Sequence, residues 1–368
     1  MKKSDYTGLF IWGTGVKAKE LNIIYENELK REAIIGYIDN NLKKKGKLFC
    51  GKKIYAPDVL KGYKNAAIFI SVEKKEEIYQ QICTEYPFYK KRILEADYFI
   101  KMKLMTRYKK NEDDEVKEIL NYLEEHPLNV FNYSFVEKYK AESIFISLEN
   151  GLYYTIHNGK KLFFSKDYDT EQKAREYYLS LIIEQDINSP HRYLTESFQV
   201  PNAAIVIDAG AAEGIFSLDI IDKVKRIYMF EPEKSWVEAL NYTFKMYKDK
   251  VTIINKCVSN YKDDETTTLD DSIEEGKIDF IKMDIEGEEY YALQGAEKLL
   301  TSSPNVKCDI CTYHQEFAYA AIKSELEKLG FYIAHSKGYM WYIEHFNIMR
   351  PPVLRRGLIR AEKKEHRR

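Results

Sequence analysis

Short apolar runs alternate with amphipathic stretches along most of the chain. Leu9–Trp12 is apolar, Gly13-Thr14-Gly15 forms a turn, and Val16–Leu29 carries helical periodicity. Ala33–Ile38 reads as a second strand ending at Asp39. Ala66–Val72 reads as a third, after the Ala56-Pro57-Asp58 turn. Helical sequence follows to about Arg107. This pattern predicts a small α/β domain over residues 1–110.

Residues 111–150 read as a helical connector, charged from Asn111 to about Glu125 and interrupted at His126-Pro127. Tyr153–Phe164 predicts a hairpin turned by Asn158-Gly159. Thr170 is the expected N-cap of a helix reaching Glu184. A regular alternation then begins. Ala204–Asp208, Arg226–Glu231, Val251–Cys257, Ile278–Asp284 and Lys307–Tyr313 read as strands with crossovers between them, which implies a parallel sheet. Phe331–His335 and Tyr339–Ile343, split by Ser336-Lys337-Gly338, predict a closing hairpin with one antiparallel strand. A second domain is therefore expected over 151–345, with residues 346–368 as a frayed basic tail.

Composition narrows the function. The chain has 368 residues, 57 basic and 58 acidic, with net charge -1, so a nucleic-acid partner is not expected. Its 45 lysines, 12 arginines and 30 tyrosines read as compositional bias rather than binding chemistry. No apolar run approaches membrane-spanning length, and no signal peptide is expected. Five scattered cysteines suit a reducing compartment, so the expected location is cytoplasmic. Cys308 and Cys311 match C-x-x-C, but an offset of three in a strand sends the sulfurs to opposite faces. Residues 350–368 hold eight Lys/Arg against two Glu. Such a tail is either solvated or steers the protein to an anionic surface. Oligomeric state is not legible.

Three motifs carry candidate chemistry. Ile205-Val206-Ile207-Asp208-Ala209-Gly210-Ala211-Ala212-Glu213-Gly214 is an apolar strand ending in an acid, then a small-residue loop opening a helix. Ligands of open α/β sheets bind at such strand ends. An acid there would repel a pyrophosphate but suits a cationic, phosphate-free cofactor such as S-adenosylmethionine. Tyr228-Met229-Phe230-Glu231-Pro232 places a second carboxylate at the next strand tip, where it can accept ribose hydroxyls. Ile281-Lys282-Met283-Asp284-Ile285-Glu286-Gly287-Glu288-Glu289 puts Lys282 and Asp284 on one strand face. A buried lysine needs a partner, and Asp284 is the expected one.

Together with Thr268-Leu269-Asp270-Asp271 and Tyr313-His314, these motifs resemble the FkbM family of methyltransferases over about Ile205 to Glu344. The order is D-x-G-A-x-x-G, F-E-P, T-L-D-D, K-x-D-x-E-G-x-E, then Y-H. Many members carry Asn in the glycine loop, where this chain has Ala212 and then Glu213. The resemblance implies a class I methyltransferase (Rossmann-like) fold with a seven-stranded sheet whose last strand is antiparallel. It implies S-adenosylmethionine as methyl donor and a hydroxyl acceptor, expected to be a saccharide or glycan precursor. Asp208, Gly210, Ala211 and Gly214 would line the methionine and ribose side, Glu231 would hold the ribose, and Cys257 and Val258 would flank the adenine. Asp284 and His314 are the candidate bases, with Lys282 as a third catalytic candidate. A divalent metal on Asp284 and Glu286 is a possible addition; no dedicated metal site is read. Residues 184–193 are either a lid over the cofactor or a structural turn.

The first domain has Gly13-Thr14-Gly15-Val16-Lys17-Ala18, with Asp39 closing the next strand, which is dinucleotide spacing. This resembles the Rossmann-like nucleotide-binding domains of sugar-modifying enzymes, and Gly13, Gly15 and Asp39 would be its site. Two rival functions follow: an NAD-dependent oxidoreductase using that site, and a non-catalytic glycan-assembly scaffold.

Overall fold

The computed structural model describes residues 8–24, 33–72, 75–94, 96–342 and 353–363. They form two compact units, one ending at Asn132 and the other beginning at Tyr133.

The first unit holds strands β1 (Gly8–Trp12), β2 (Ala33–Ile38), β3 (Leu48–Phe49), β4 (Lys52–Tyr55), β5 (Ala66–Ile70) and β6 (Ile93–Leu94). Their order in one sheet is β3-β4-β2-β1-β5-β6. All pairs are parallel except β3 with β4. Helices α1 (Val16–Ile24), α2 (Lys75–Glu85), α3 (Ala96–Tyr108) and α4 (Asp114–Glu125) complete the unit. The sequence pattern shows only three of the six strands, because β3, β4 and β6 are short and mostly polar or isolated. The expected helical end at Leu29 lies outside the described residues. α4 is not a connector. It buries Val116, Ile119 and Leu123 on one stripe, and Asp113 caps it by accepting from the Glu115 N–H at 2.9 Å.

The second unit opens with a three-stranded antiparallel ribbon, β7 (Ser147–Glu149), β8 (Leu152–His157) and β9 (Lys160–Phe163). Asn158 and Gly159, both at positive φ, turn β8 into β9 as the sequence predicts. Helix α5 (Glu171–Glu184) follows, and the Thr170 hydroxyl accepts from the Lys173 N–H at 3.2 Å.

The main sheet is built from β10 (Ile205–Ala209), β11 (Arg226–Phe230), β12 (Val251–Ile254), β15 (Phe280–Met283), β16 (Lys307–Cys311), β17 (Tyr332–His335) and β20 (Leu358–Glu362). Between them lie two-residue strands β13 (Cys257–Val258) and β14 (Thr266–Thr267), which pair with each other. β18 (Met340–Trp341) pairs with β19 (Leu354–Arg355). Helices α6 (Ile215–Ile220), α7 (Lys234–Thr243), α8 (Leu269–Ser272), α9 (Glu289–Gln294), α10 (Glu297–Ser302) and α11 (Ala318–Lys328) make the crossovers. Sheet order is β12-β11-β10-β15-β16-β20-β17, with β20 antiparallel to both neighbours. This is the class I methyltransferase arrangement. Strands buried on both faces need apolar runs, which Ile205–Ile207 and Ile227–Phe230 supply.

Two expectations are corrected. The antiparallel strand is not one arm of a 331–343 hairpin. β17 and β18 each pair with the chain's last described segment instead. Residues 354–362 are therefore not tail but sheet, with Leu358, Ile359 and Ala361 fully buried. Their arginines are anchors. Arg355 donates to the carbonyls of Tyr313 and His314 at 2.6 Å each, and Arg360 donates to those of Arg192 and Tyr193. Secondly, the strand expected over Val251–Cys257 breaks at Asn255, whose amide donates to the carbonyls of Glu231 and Pro232. No helix among the described residues is long and apolar enough to cross a membrane.

Candidate active site

A cavity of about 410 Å³ opens at the carboxyl ends of β10, β11 and β15. Gly210, Glu231, Trp236, Cys257, Val258 and Asp284 line it. Its location follows from topology. β10 leads to β11 on one side and abuts β15 on the other, so the loops diverge above β10.

The loop after β10 is forced close to the loop after β15. A Cβ on Gly210 would meet the Asp284 carbonyl oxygen at 1.7 Å, and φ there is +74°. Only glycine fits. Two non-glycine residues at positive φ, Ala212 (46°) and Glu286 (57°), line the cavity. Backbone strain of this kind gathers at ligand sites.

Glu231 is buried, and both its oxygens are held. Oε2 accepts from Ala212 N and Oε1 from Glu233 N, each at 2.8 Å. Burial raises its pKa above the usual carboxylate value, against the pull of those two N–H groups. A carboxylate offers about four acceptor positions, so two N–H bonds leave capacity for two ligand hydroxyls. Ala211 and Gly214 do not reach the cavity. Ala211 is buried and its N–H donates to the Phe230 carbonyl at 3.0 Å, and Gly214 caps α6 against Phe244, Leu240 and Met229.

Asp208 is not in the cavity either, and this corrects its assignment. It is fully buried, with the Lys282 ammonium 3.0 Å from Oδ1 and the Ser217 hydroxyl donating to Oδ2 at 2.7 Å. Parallel register sets Asp208 beside Lys282. The partner of Lys282 is thus Asp208 rather than Asp284, and the ammonium also donates to the Gly210 carbonyl at 2.5 Å. Burial opposes its charge, but Asp208 and Asp284 together hold the lysine above its ordinary value. Lys282 is a support for the loop, not a group open to substrate.

Asp284 alone of the expected catalytic residues faces the cavity. It is ringed by donors. Tyr193 donates to Oδ2 at 2.8 Å and Tyr313 to Oδ1 at 3.2 Å. His191 Nε2 lies 3.3 Å from Oδ2, and His314 Nε2 lies 3.3 Å from Oδ1. Burial would raise the pKa of Asp284, but His191, His314 and Lys282 hold it far below the usual range. It is an anion at any working pH. Tyr193 and Tyr313 are pushed well above the usual tyrosine value by burial and by Asp284, so both remain donors.

His314 Nδ1 lies 2.8 Å from Glu289 Oε1. Burial disfavours its charge, yet Glu289, Asp284 and Glu286 leave its pKa above the ordinary histidine value. Glu289 and Asp284, but not the expected Glu286, form with His314 a group with metal-ligand spacing; a second is His191, Asp284 and Cys311. Asp284 already accepts from Tyr193 and Tyr313, so an ion there would share the carboxylate with two tyrosine donors. Cys308 points into the core and Cys311 lies 3.7 Å from His191, which confirms that the two sulfurs take opposite faces.

Glu184, His191 and Tyr193 fall in the 184–193 segment that the sequence offers only as a lid or a turn, and Glu289 closes the K-x-D-x-E-G-x-E motif; none of the four is assigned a site role from sequence. The segment containing His191 and Tyr193 precedes β10 and carries no motif. Its only signal is a histidine and a tyrosine two residues apart beside Ser189-Pro190. Glu289 reads as an ordinary acid at a helix start.

Residues 255–333 match the family described as the methyltransferase FkbM domain. That match lies within the second unit. Residues 6–94, in the first unit, match a family described as C2185-like, N-terminal. The chain is similar to the solved methyltransferase FkbM from Methylobacillus flagellatus KT, at 16% identity over 97% of this chain and 90% of that one, with a TM-score of 0.42. The magnesium protoporphyrin IX methyltransferase from Synechocystis PCC 6803, solved with bound SAM, is similar at 16% identity over 52% and 83%, with a TM-score of 0.35. An rRNA methylase from Streptococcus thermophilus is similar at 18% over 45% and 90%, TM-score 0.32. No curated protein matches.

The first unit's expected nucleotide site is internally occupied. Asp39 accepts from the Thr14 hydroxyl at 2.6 Å and pairs with Lys44 at 2.7 Å. Burial works against its charge, but Lys44, Thr14 and the Asn41 N–H leave its pKa below the usual value. Gly13, at φ +122°, is pressed against Ser71, and Gly15 is open on all sides. An acid so engaged is poorly placed to receive a ribose, which weakens the oxidoreductase reading.

Proposed function

We propose that the FkbM domain is an S-adenosylmethionine-dependent methyltransferase acting on a hydroxyl of a saccharide or glycan precursor. The observation that carries the cofactor reading is Glu231. It is a buried carboxylate, fixed by two N–H groups, with spare acceptor positions turned to a cavity at the β10–β11 strand ends. Cys257 and Val258 line the cavity on the side where a purine would sit. Bound there, the cofactor supplies an electrophilic sulfonium methyl group.

The chain's own residues then orient the acceptor and manage its proton. Asp284, anionic and pinned by two tyrosines, accepts the hydrogen bond of the acceptor hydroxyl and aims it. A carboxylate with so low a proton affinity does not keep the proton. His314, 3.3 Å from Asp284 Oδ1, receives it at Nε2 when neutral, and Glu289 holds the opposite nitrogen. Tyr193 and Tyr313, both buried, hold Asp284 in place through their hydroxyls. Incubation with labelled cofactor and a panel of sugars, read as a mass increase of one methyl group, tests the reading. Incorporation into no hydroxylated acceptor contradicts the acceptor class.

A further inference from the structure

A second cavity, about 470 Å³, is lined in part by Tyr193. One face of α6 (Phe216, Asp219, Ile220) and the segment 192–199 line it. Tyr193 links it to the first cavity through Asp284. Its ring borders this cavity, while its hydroxyl holds Asp284 in the other.

The charges of this cavity are unbalanced. Lys223 Nζ donates to the neutral Gln199 Oε1 at 3.2 Å. Gln199 is itself fixed by donating to the Thr195 carbonyl at 2.6 Å. Arg192 spends its guanidinium on the carbonyls of Leu194 and Gln185. Neither cation is paired with a carboxylate among the described residues. The one acid on the lining, Asp219, is already engaged by His157 Nε2 and the Asn158 amide, each at 2.8 Å. Burial lowers the pKa of Lys223. A partly desolvated ammonium with a neutral partner gains from an incoming anion. The rest of the lining suits a hydroxylated ring. Tyr193, Phe216 and Tyr139 line it with aromatic rings, and Gln185, Gln199 and Asn158 line it with amides that each make bonds within the chain and keep further donor and acceptor positions.

We propose that this cavity binds a hydroxylated organic anion, a sugar-like ring bearing a carboxylate or phosphate, with Lys223 at the anionic group. Its role as the acceptor's anchoring pocket rests on the methyltransferase reading above; the binding itself does not.

The test is titration of the full chain with D-glucuronate, D-glucose 6-phosphate and neutral D-glucose, with S-adenosylhomocysteine titrated in parallel. At least one anion should bind saturably and about tenfold more tightly than glucose, the effect of one charge-assisted hydrogen bond. The stronger of the two anions identifies carboxylate or phosphate. Lys223→Gln should erase the preference. Gln199→Glu, at an exposed position, should erase it too by neutralising Lys223 in place. Thermal melts close to wild type confirm that both variants fold. Equal affinity for glucose and both anions, or an unchanged preference in both variants, overturns the pocket. Failure of S-adenosylhomocysteine to bind while the anion preference persists overturns the proposed function and leaves the pocket standing.

Discussion

Lys282 and Asp208 stand side by side on adjacent parallel strands, with Nζ 3.0 Å from Oδ1 and both side chains almost wholly buried. The pair locks the base of the β10 loop, because the same ammonium also binds the Gly210 carbonyl. Removing one member strands the other charge in the core. Lys282→Met should therefore cost about 3–5 kcal/mol. The double variant Lys282→Met/Asp208→Asn should recover most of that loss. Chemical denaturation of the wild type, Lys282→Met, Asp208→Asn and the double variant measures both, and an additive double variant would show that the pair is not coupled.

Loop strain at Ala212 gives a second expectation. An L-residue with a Cβ at φ 46° is disfavoured, whereas Gly and Asn adopt that region more readily. Ala212→Gly or Ala212→Asn should stabilise the domain by about 0.5–1 kcal/mol. A fall in melting temperature for both would mean that the alanine methyl is needed for packing.

Proton transfer to His314 sets a pH dependence. The neutral form is the acceptor, so turnover should rise with pH through a midpoint above the ordinary histidine value. Glu289 is one source of that elevation. Glu289→Gln should move the midpoint to lower pH, and the pH profile of kcat checks the direction. A shift to higher pH would contradict the assignment.

Glu184 carries the opposite linkage. Burial lifts its carboxyl to about 7, with Asp284 and Glu213 adding to the effect and His191 opposing it. The folded state thus binds this proton more tightly than the unfolded chain, and that advantage is lost as pH rises from about 4.5 to about 7. Its side chain is 32% exposed, which weakens the effect. Glu184→Gln should stabilise by about 1–2 kcal/mol at pH 8 and hardly at all at pH 4. Equal effects at both values would refute the linkage.

The sequence displays the parallel sheet and its strand-end acids because buried strands leave uninterrupted apolar runs. It hides β20, since five residues with an arginine at the centre look solvated until the carbonyls of Arg192 and Tyr193 are seen to take that guanidinium. Asp208 and Glu231 look alike as acids closing successive strands. Parallel register separates them, giving Asp208 to a buried lysine and leaving Glu231 to the cavity. His191 and Tyr193 reach Asp284 across about ninety residues of chain, a proximity that no local pattern encodes.

Calorimetric titration of the whole chain with S-adenosylhomocysteine tests the central claim most directly. The wild type should bind one equivalent per chain, and Glu231→Ala should lose about 10- to 100-fold in affinity through its missing hydroxyl contacts. Absence of binding by the folded wild type, or undiminished binding by Glu231→Ala, would contradict the account.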